Sequence, residues 1–529
     1  MRDLHMPGRS AARSANAMAA TSQPSSTLAA IEILMAGGNA LDAAIAACAV
    51  QCVTEPGSTG IGGDCFCLYQ PADAASPIGF NGSGRAPAKA EIQFFKDNGI
   101  TALDPSSAHV VTVPGAIDAW ETLSRDHGRL GLDRLLQPAI RYAEEGFAVH
   151  ERTAVDFANG YQKLSKDAGA KEVYFNAAGQ LPVAGEKFRQ PALAATLRAI
   201  ASQGRSAFYE GPVAEDIVAT LKAKGGLHEM SDFTDHAGEY VKPISSTFRG
   251  YDVFELPPNG VGAIALLLMN ILEVLPVANS PLDISRLHHL IEATKLAYRD
   301  RNAFIADPVF SEVPLDVLLS KKYAAELTRG IDDIRAAKNL PPAGMPPQGN
   351  TVYISVVDAD GNACSFINSL FKGFGSGIVA ARSGVVLQNR GFGFTLEEGH
   401  PNQIEPKKRP MHTIIPGMVA KDGRPVMPFG VMGGHFQPVG HAWTLSSMFD
   451  FGLDPQEAMD LPRIFSYDGN VEIERGISKA SAEVLASRGH HITNIGMPHG
   501  GGQAIFIDHQ RGTLVGGSDP RKDGLALGY

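Results

Sequence analysis

A mixed fold of helices and β-sheets is predicted from three observations. Before residue 330, apolar residues recur mainly at helical spacing. From Thr351 onward, runs rich in Val, Ile and Phe take over with strand-like alternation. Between them, residues 330–350 become rich in Pro and Gly and lose all apolar periodicity, which reads as a linker. Abundant Gly and Ala with only two Trp fit a tightly packed α/β protein, and 529 residues exceed one ordinary hydrophobic core.

The elements follow in order. Residues 25–53 are helical, with Ser25 and Ser26 as candidate caps and Gly37-Gly38-Asn39 as a break. Residues 65–69 and 78–80 read as strands between Pro-containing turns, and helices are predicted near 115–147, 190–223 and 284–305. Residues 351–357 and 362–371 form two strands joined by Asp358-Ala-Asp-Gly361, a hairpin turn. That turn lacks the further acidic ligands and closing Glu of a calcium loop. No repeat with a period of about 20–50 residues is visible.

Composition excludes several function classes. A net charge of −10 argues against a nucleic-acid surface. No apolar run is long enough to span a membrane; the best, 40–53, is interrupted by Asp42. The first twenty-four residues contain no continuous apolar segment, so no secretory signal and a cytoplasmic location are expected. The five cysteines are odd in number, and Cys65-Phe-Cys67 is too tight for an ordinary disulfide or zinc knuckle, so buried free thiols are expected. His289 and His490-His491 lack ligand spacing and there is no His-Glu-x-x-His, so neither a metal nor another cofactor is expected. The Gly373-Phe-Gly-Ser-Gly377 stretch has the wrong spacing for a dinucleotide fingerprint.

Thr351 is the candidate for the chemistry, on the strength of what surrounds it, since a lone threonine at a strand start is ordinarily a structural β-former. A threonine can supply both nucleophile and base when it is the first residue of a chain, because its free α-amine takes the hydroxyl proton. The chain would therefore have to cut itself between Asn350 and Thr351. The stretch from Thr351 through Ser355-Val-Val-Asp358, Asp360-Gly-Asn-Ala363 and Gly375-Ser-Gly-Ile-Val379 to Gly384-Val-Val-Leu-Gln-Asn389 resembles the small-subunit start of the γ-glutamyltranspeptidase family. Four further regions are similar to that family, in its order. They are Glu55-Pro-Gly-Ser-Thr-Gly-Ile-Gly-Gly-Asp64, Leu296-Ala-Tyr-Arg-Asp-Arg-Asn-Ala-Phe-Ile-Ala-Asp-Pro308, Lys408-Arg-Pro410 with Met432-Gly-Gly434, and Ser518-Asp-Pro-Arg-Lys-Asp-Gly524.

The resemblance implies an α+β fold of the N-terminal-nucleophile hydrolases, a four-layer αββα sandwich. It would be assembled from a large segment, 1–350, and a small one, 351–529, paired as a heterodimer. It also implies that Gly433 and Gly434 form the oxyanion hole, that Ser369 hydrogen-bonds the nucleophile, and that Asn389 orders the pocket wall. Other positions depart from the family pattern. Gly393 stands where the amine-binding aspartate is expected, Arg390 replaces a glutamine, and Phe371 replaces an asparagine. Ser83 replaces the early arginine, with Arg85 two residues on, and His412-Thr413 replaces a serine pair. A buried ammonium without a carboxylate is strongly disfavoured. The implied substrate is thus a small amide bearing a carboxylate and no α-amine, with Arg390 as its clamp and Phe371, His412, Thr413 and Arg85 as further contacts. Leu387-Gln-Asn-Arg-Gly391 resembles the branch with cephalosporin acylase-like and oxamate-hydrolysing members, which points to oxamate and to cytoplasmic salvage of purine-derived nitrogen. Two alternatives stay open: γ-glutamyl hydrolysis or transfer, and an uncleaved non-catalytic relative serving as a binding module. The loop 395–407 can act as a lid over the pocket or lie in solvent.

Overall fold

The computed structural model describes residues 8–337 and 350–529. The core of the predicted linker, 338–349, lies outside the described residues. Strands are numbered in chain order: β1 (Ala12–Ser14), β2 (Met18–Thr21), β3 (Asp64–Gln70), β4 (Ile78–Gly82), β5 (Glu239–Val241), β6 (Ile244–Phe248), β7 (Tyr251–Glu255), β8 (Asn350–Val357), β9 (Ala363–Phe371), β10 (Gly417–Lys421), β11 (Arg424–Met432), β12 (Gly501–Asp508), β13 (Thr513–Ser518) and β14 (Leu525–Gly528). They form two seven-stranded sheets, β1-β13-β12-β11-β10-β7-β6 and β14-β2-β8-β9-β3-β4-β5. Each sheet mixes strands from before the linker with strands after it.

Strand alternation builds the layers. On β3, Phe66 and Leu68 point into the space between the sheets and meet Tyr353, Ile367, Met418 and Ile505. Cys65, Cys67 and Tyr69 point the other way, onto helices. Those helices include α1 (Pro24–Met35), α2 (Ala40–Thr54), α3 (Ala116–His127) and α4 (Gln137–Glu145). Further along the chain come α5 (Glu151–Leu164), α6 (Gly262–Val274), α7 (Ile284–Phe304) and α8 (Gln437–Phe451). Of these, α6, α7 and α8 cover the outer face of the other sheet. The order helix, sheet, sheet, helix is the expected αββα sandwich. Gly430 permits one close approach between the sheets: a Cβ there would sit 2.4 Å from the Tyr353 ring.

Local chemistry explains where helices begin and end. The cap of α1 is Gln23, whose side chain accepts from the Ser25 and Ser26 N–H groups, rather than either serine as expected. Pro24 takes the first helical position, where its missing N–H costs nothing, and this sets the cap one residue ahead of it. The start of α2 has a full capping box between Asn39 and Asp42, and the Ala40 N–H also donates to Asp358 of the β8–β9 turn at 2.9 Å. The predicted 115–147 and 190–223 helices are each broken into shorter ones. Gly128 ends α3, and Gly204 (φ 65°) separates Pro191–Gln203 from Arg205–Tyr209. All five cysteines are buried and free. Among the described residues, no helix is long and apolar enough to cross a membrane.

Several histidines are enclosed in the core and held neutral. Burial pushes His228 and His236 down to about 4 and His412 down to about 3. Below pH of roughly 6.5 the unfolded side chains take up protons that the folded ones refuse, so stability rises with pH across that window and is lost as pH falls. Each such group contributes up to about 1.4 kcal/mol per pH unit. The melting temperature should therefore decline between pH 7 and 5, before carboxylate titration dominates. A flat profile over that range in differential scanning fluorimetry would contradict this account.

Candidate active site

Thr351 sits at an irregularity of the β8–β9 ladder. Asn350 pairs with Phe371 and Val352 with Asn368, so Ser369 and Leu370 together stand opposite Thr351. Such a bulge re-aims side chains, and here Ser369 Oγ comes within 3.0 Å of Thr351 Oγ1. The Phe371 N–H donates to Ser369 Oγ at 2.9 Å, and the Phe371 backbone has a positive φ of 79°. An aromatic residue rarely adopts that conformation. Both hydroxyls are buried.

Arg390 lies directly behind this pair, on the short helical turn Arg390–Gly393. Its Nη2 donates to Ser369 Oγ at 3.1 Å and its Nη1 to Thr413 Oγ1 at 2.8 Å. The guanidinium carbon lies 4.3 Å from the Phe371 ring centroid. Arg390 is wholly inaccessible, and burial pushes it down to about 9 although Asp64 favours its charge. The sequence-based clamp is therefore corrected: Arg390 is wholly buried, does not line the Thr351 cleft, bonds protein hydroxyls through both Nη atoms, and has Phe371 packed against its guanidinium. What Arg390 can do is place positive charge one hydroxyl away from Thr351, favouring negative charge on that oxygen.

Asp64, the last residue of the early glycine-rich motif, anchors the surroundings. Oδ1 accepts from the Gly84 and Gly115 N–H groups (3.0 and 3.1 Å) and from Gln388 Nε2 (2.9 Å). Oδ2 accepts from His412 Nε2 at 3.0 Å. His412 Nδ1 accepts from the Ile414 N–H at 3.3 Å, which places the ring proton on Nε2. His412 thus has both nitrogens occupied, and the expected substrate contact is replaced by a neutral histidine orienting a buried carboxylate. Despite its burial, Asp64 stays below the usual carboxylate range, through His412 first and Arg390 and Gln388 after it. Arg85 is also elsewhere than expected: it donates to the Lys407 carbonyl at 3.2 Å, lies 3.8 Å from Asp307, and does not line the Thr351 cleft. The Lys407 N–H in turn donates to the Ala86 carbonyl, so the end of loop 395–407 is tied to the 85–86 segment. Asn389 spans the wall, accepting from the Lys372 N–H (3.1 Å) and donating to the Pro105 carbonyl (2.9 Å).

Gly433 and Gly434 join β11 to the turn Gly434–Phe436 and then α8. Their φ values are 127° and 58°, and a Cβ on Gly433 would meet Gly500 Cα at 2.9 Å, so glycine is needed at 433. Gly434, at the start of the turn, has no acceptor within it for its N–H. Gly433 and Thr351 line one cleft of about 530 Å³. His435 follows, with Arg301 Nη1 3.1 Å from its Nδ1 and its ring stacked on Tyr467.

Sequence reasoning missed the charged lining of this cleft: Arg152, Lys163, Lys372 and Lys522 against Asp156 and Glu472. Lys372 and Lys522 fall inside the quoted motifs, but nothing in the motifs tells which way they point. Arg152 and Lys163 arrive on α5, and only the tertiary fold brings them near Thr351. Among the described residues, one cluster could offer metal ligands, His150, Glu151 and Asp523. Asp523 is already engaged by the Arg152 N–H, and none of the three lines the cleft.

Replacing Asp64 by alanine strips the Gly84 N–H and His412 Nε2 of their acceptor, weakens the bonding of the Gly115 N–H and Gln388, and leaves Arg390 without its buried counter-charge, a loss expected to cost about 3–5 kcal/mol. Urea unfolding measures this directly, and a loss below about 1 kcal/mol would remove Asp64 from the centre of this network.

Comparison with known proteins agrees with the architecture. The model of the gamma-glutamyltranspeptidase family matches residues 26–529. The glutathione hydrolase-like YwrD proenzyme of Bacillus subtilis is 38% identical over 507 residues, covering 94% of this chain and 95% of that protein. The oxamate amidohydrolase proenzyme of Klebsiella pneumoniae is 34% identical over 518 residues, covering 94% and 96%. The crystal structure of cephalosporin acylase from Bacillus halodurans superposes with a TM-score of 0.93 at 39% identity, covering 100% of this chain and 98% of that one. With a family model matched almost end to end and a shared fold, the chain belongs to the γ-glutamyltranspeptidase family of N-terminal-nucleophile hydrolases, which act on amide C–N bonds.

Proposed function

We propose that Thr351, released as a first residue by self-cleavage, is nucleophile and base of an amidohydrolase for small carboxylate-bearing amides, oxamate foremost. The observation that carries this is the Thr351–Ser369–Arg390 chain of contacts opening onto a cleft with more cations than anions. In the precursor, Thr351 Oγ1 attacks the Asn350 carbonyl, the peptide becomes an ester, and water opens it to leave a free Thr351 amine. In turnover, that amine takes the hydroxyl proton while Oγ1 attacks the substrate carbonyl. The backbone N–H groups of Gly433 and Gly434 receive the oxyanion, a role in which one lost donor typically costs about 3–4 kcal/mol. The amine passes the proton to the departing nitrogen, and water then hydrolyses the acyl ester. For oxamate the sum is oxamate plus water to oxalate plus ammonia. Five free thiols suit a reducing, cytoplasmic setting, and the two fragments would remain together as a heterodimer because their strands share both sheets.

A second reading, γ-glutamyl hydrolysis or transfer, is favoured by Asp156 and Glu472, two carboxylates on the same cleft that could meet an α-ammonium. Asp156 is already paired with Arg152 at 3.1 Å, which weakens it as a partner.

Thr351→Ala should give one uncut chain with no turnover, since cleavage and catalysis use one hydroxyl. Two fragments in that variant on a denaturing gel would end the proposal. Arg390→Ala should slow self-cleavage as well as turnover, by roughly tenfold or more, because its contact is to Ser369 beside the nucleophile. Normal cleavage with a changed KM alone would restore Arg390 as a clamp. Ammonia release from oxamate, with Thr351→Ala as the blank, tests the substrate. Cleaved protein that releases none, yet hydrolyses γ-glutamyl anilides, would favour the second reading.

A further inference from the structure

Two ammonium groups on the Thr351 cleft have no carboxylate within ion-pairing distance among the described residues. Lys163, near the end of α5, donates from Nζ to the Gly373 carbonyl at 2.6 Å and the Gly375 carbonyl at 2.8 Å. One of its three N–H groups remains. Lys372, the residue after Phe371, has its Nζ 4.2 Å from the Phe392 ring centroid. Among the described residues, neither ammonium has a carboxylate within ion-pairing distance. The other cations of the cleft are better matched. Arg152 pairs with Asp156, and Lys522 lies in the fields of Asp156, Glu55 and Asp519.

The two lysines are coupled through one loop. The carbonyls that hold Lys163 belong to residues just after Lys372, so a single stretch, 372–375, sets both ammonium positions. Burial, and then the charge of Lys372, pushes Lys163 down to about 8; Asp104 acts on it favourably but weakly by comparison. Lys372 is lowered by burial alone. Desolvated, mutually repelling cations are costly unless an anion joins them. Arg390 is not the group that meets this anion, because it is wholly buried and does not line the cleft.

We propose that Lys163 and Lys372 form the anion site of the cleft and take a substrate carboxylate beside Thr351. The carboxylate would accept from the third N–H of Lys163 and from Lys372, charge-assisted bonds of the stronger kind. That the ligand is substrate rests on the amidohydrolase reading above; the existence of the site does not.

The test is calorimetric titration of the self-cleaved protein with oxalate, malonate and the neutral diamide oxamide. Lys163→Met would also release the 373–375 loop, so Lys372 carries the comparison. In Lys372→Met, oxalate affinity should fall by about tenfold or more, and Lys372→Arg should restore most of it. Oxamide binding should stay within about twofold, and self-cleavage into two fragments should persist, which shows that the variant folds. The site is overturned if oxalate and malonate fail to bind the unaltered protein, if Lys372→Met leaves oxalate affinity unchanged, or if oxamide is weakened equally. Failure of the substrate proposal looks different. Loss of oxalate binding in Lys372→Met, with no oxamate turnover by the unaltered protein, keeps the anion site and discards oxamate. Thr351-dependent turnover whose KM does not move in Lys372→Met keeps oxamate and overturns the assignment of its carboxylate to Lys163 and Lys372.

Discussion

The carboxylate of Asp64 is the interaction on which the rest of the site depends. It is fully buried, where an isolated anion would be prohibitively costly, and four donors converge on it. Two are backbone N–H groups from before the linker, Gly84 and Gly115. Two are side chains from after it, Gln388 and His412. The same carboxylate supplies the field that favours charge on Arg390. One anion therefore ties both segments together and helps keep the neighbouring cation charged.

From that anchor the polarity runs outward to Thr351. Thr413 and Ser369 hold the two Nη groups of Arg390, and Ser369 meets Thr351. The bulge in β9 is what puts Ser369 in reach: a regular ladder would turn alternate side chains away. The same irregularity carries Phe371 at positive φ, with its ring against Arg390. Replacement of a small polar residue by Phe371 thus alters more than the pocket's size. It packs a ring against the cation that would otherwise be the obvious carboxylate partner, and leaves anion recognition to groups nearer the cleft.

The sequence was informative where chemistry is local or ordered along the chain. The β8–β9 hairpin was legible in the strand pattern, while the αββα layering and the contact between Thr351 and Ser369 were legible through the resemblance of the motifs. The helix break at Gly37-Gly38-Asn39 was legible, whereas the breaks at Gly128 and Gly204, inside the predicted 115–147 and 190–223 helices, were not. Side-chain direction was not. Arg390, His412 and Arg85 were each assigned to substrate on position alone, and each is instead bonded to protein groups supplied by distant segments. Lys163 could not be found at all, because its neighbours at 373–375 lie more than two hundred residues away.

The division of strands between the two segments has a mechanical consequence. β8 begins at the bond of the proposed cut, yet it lies between β2 from before the linker and β9 from after it. Asn350 still pairs with Phe371, so the bond is held in the sheet while Thr351 sits at the irregularity. The proposed cut would remove a covalent constraint at the strand's end and leave in place the hydrogen bonds and buried apolar contacts of both sheets. Those contacts, rather than the peptide bond, carry the stability of the sandwich. The proposed release of the Thr351 amine would then need no prior opening of the fold, because Ser369, Thr413 and His412 are already held in place by Arg390 and Asp64.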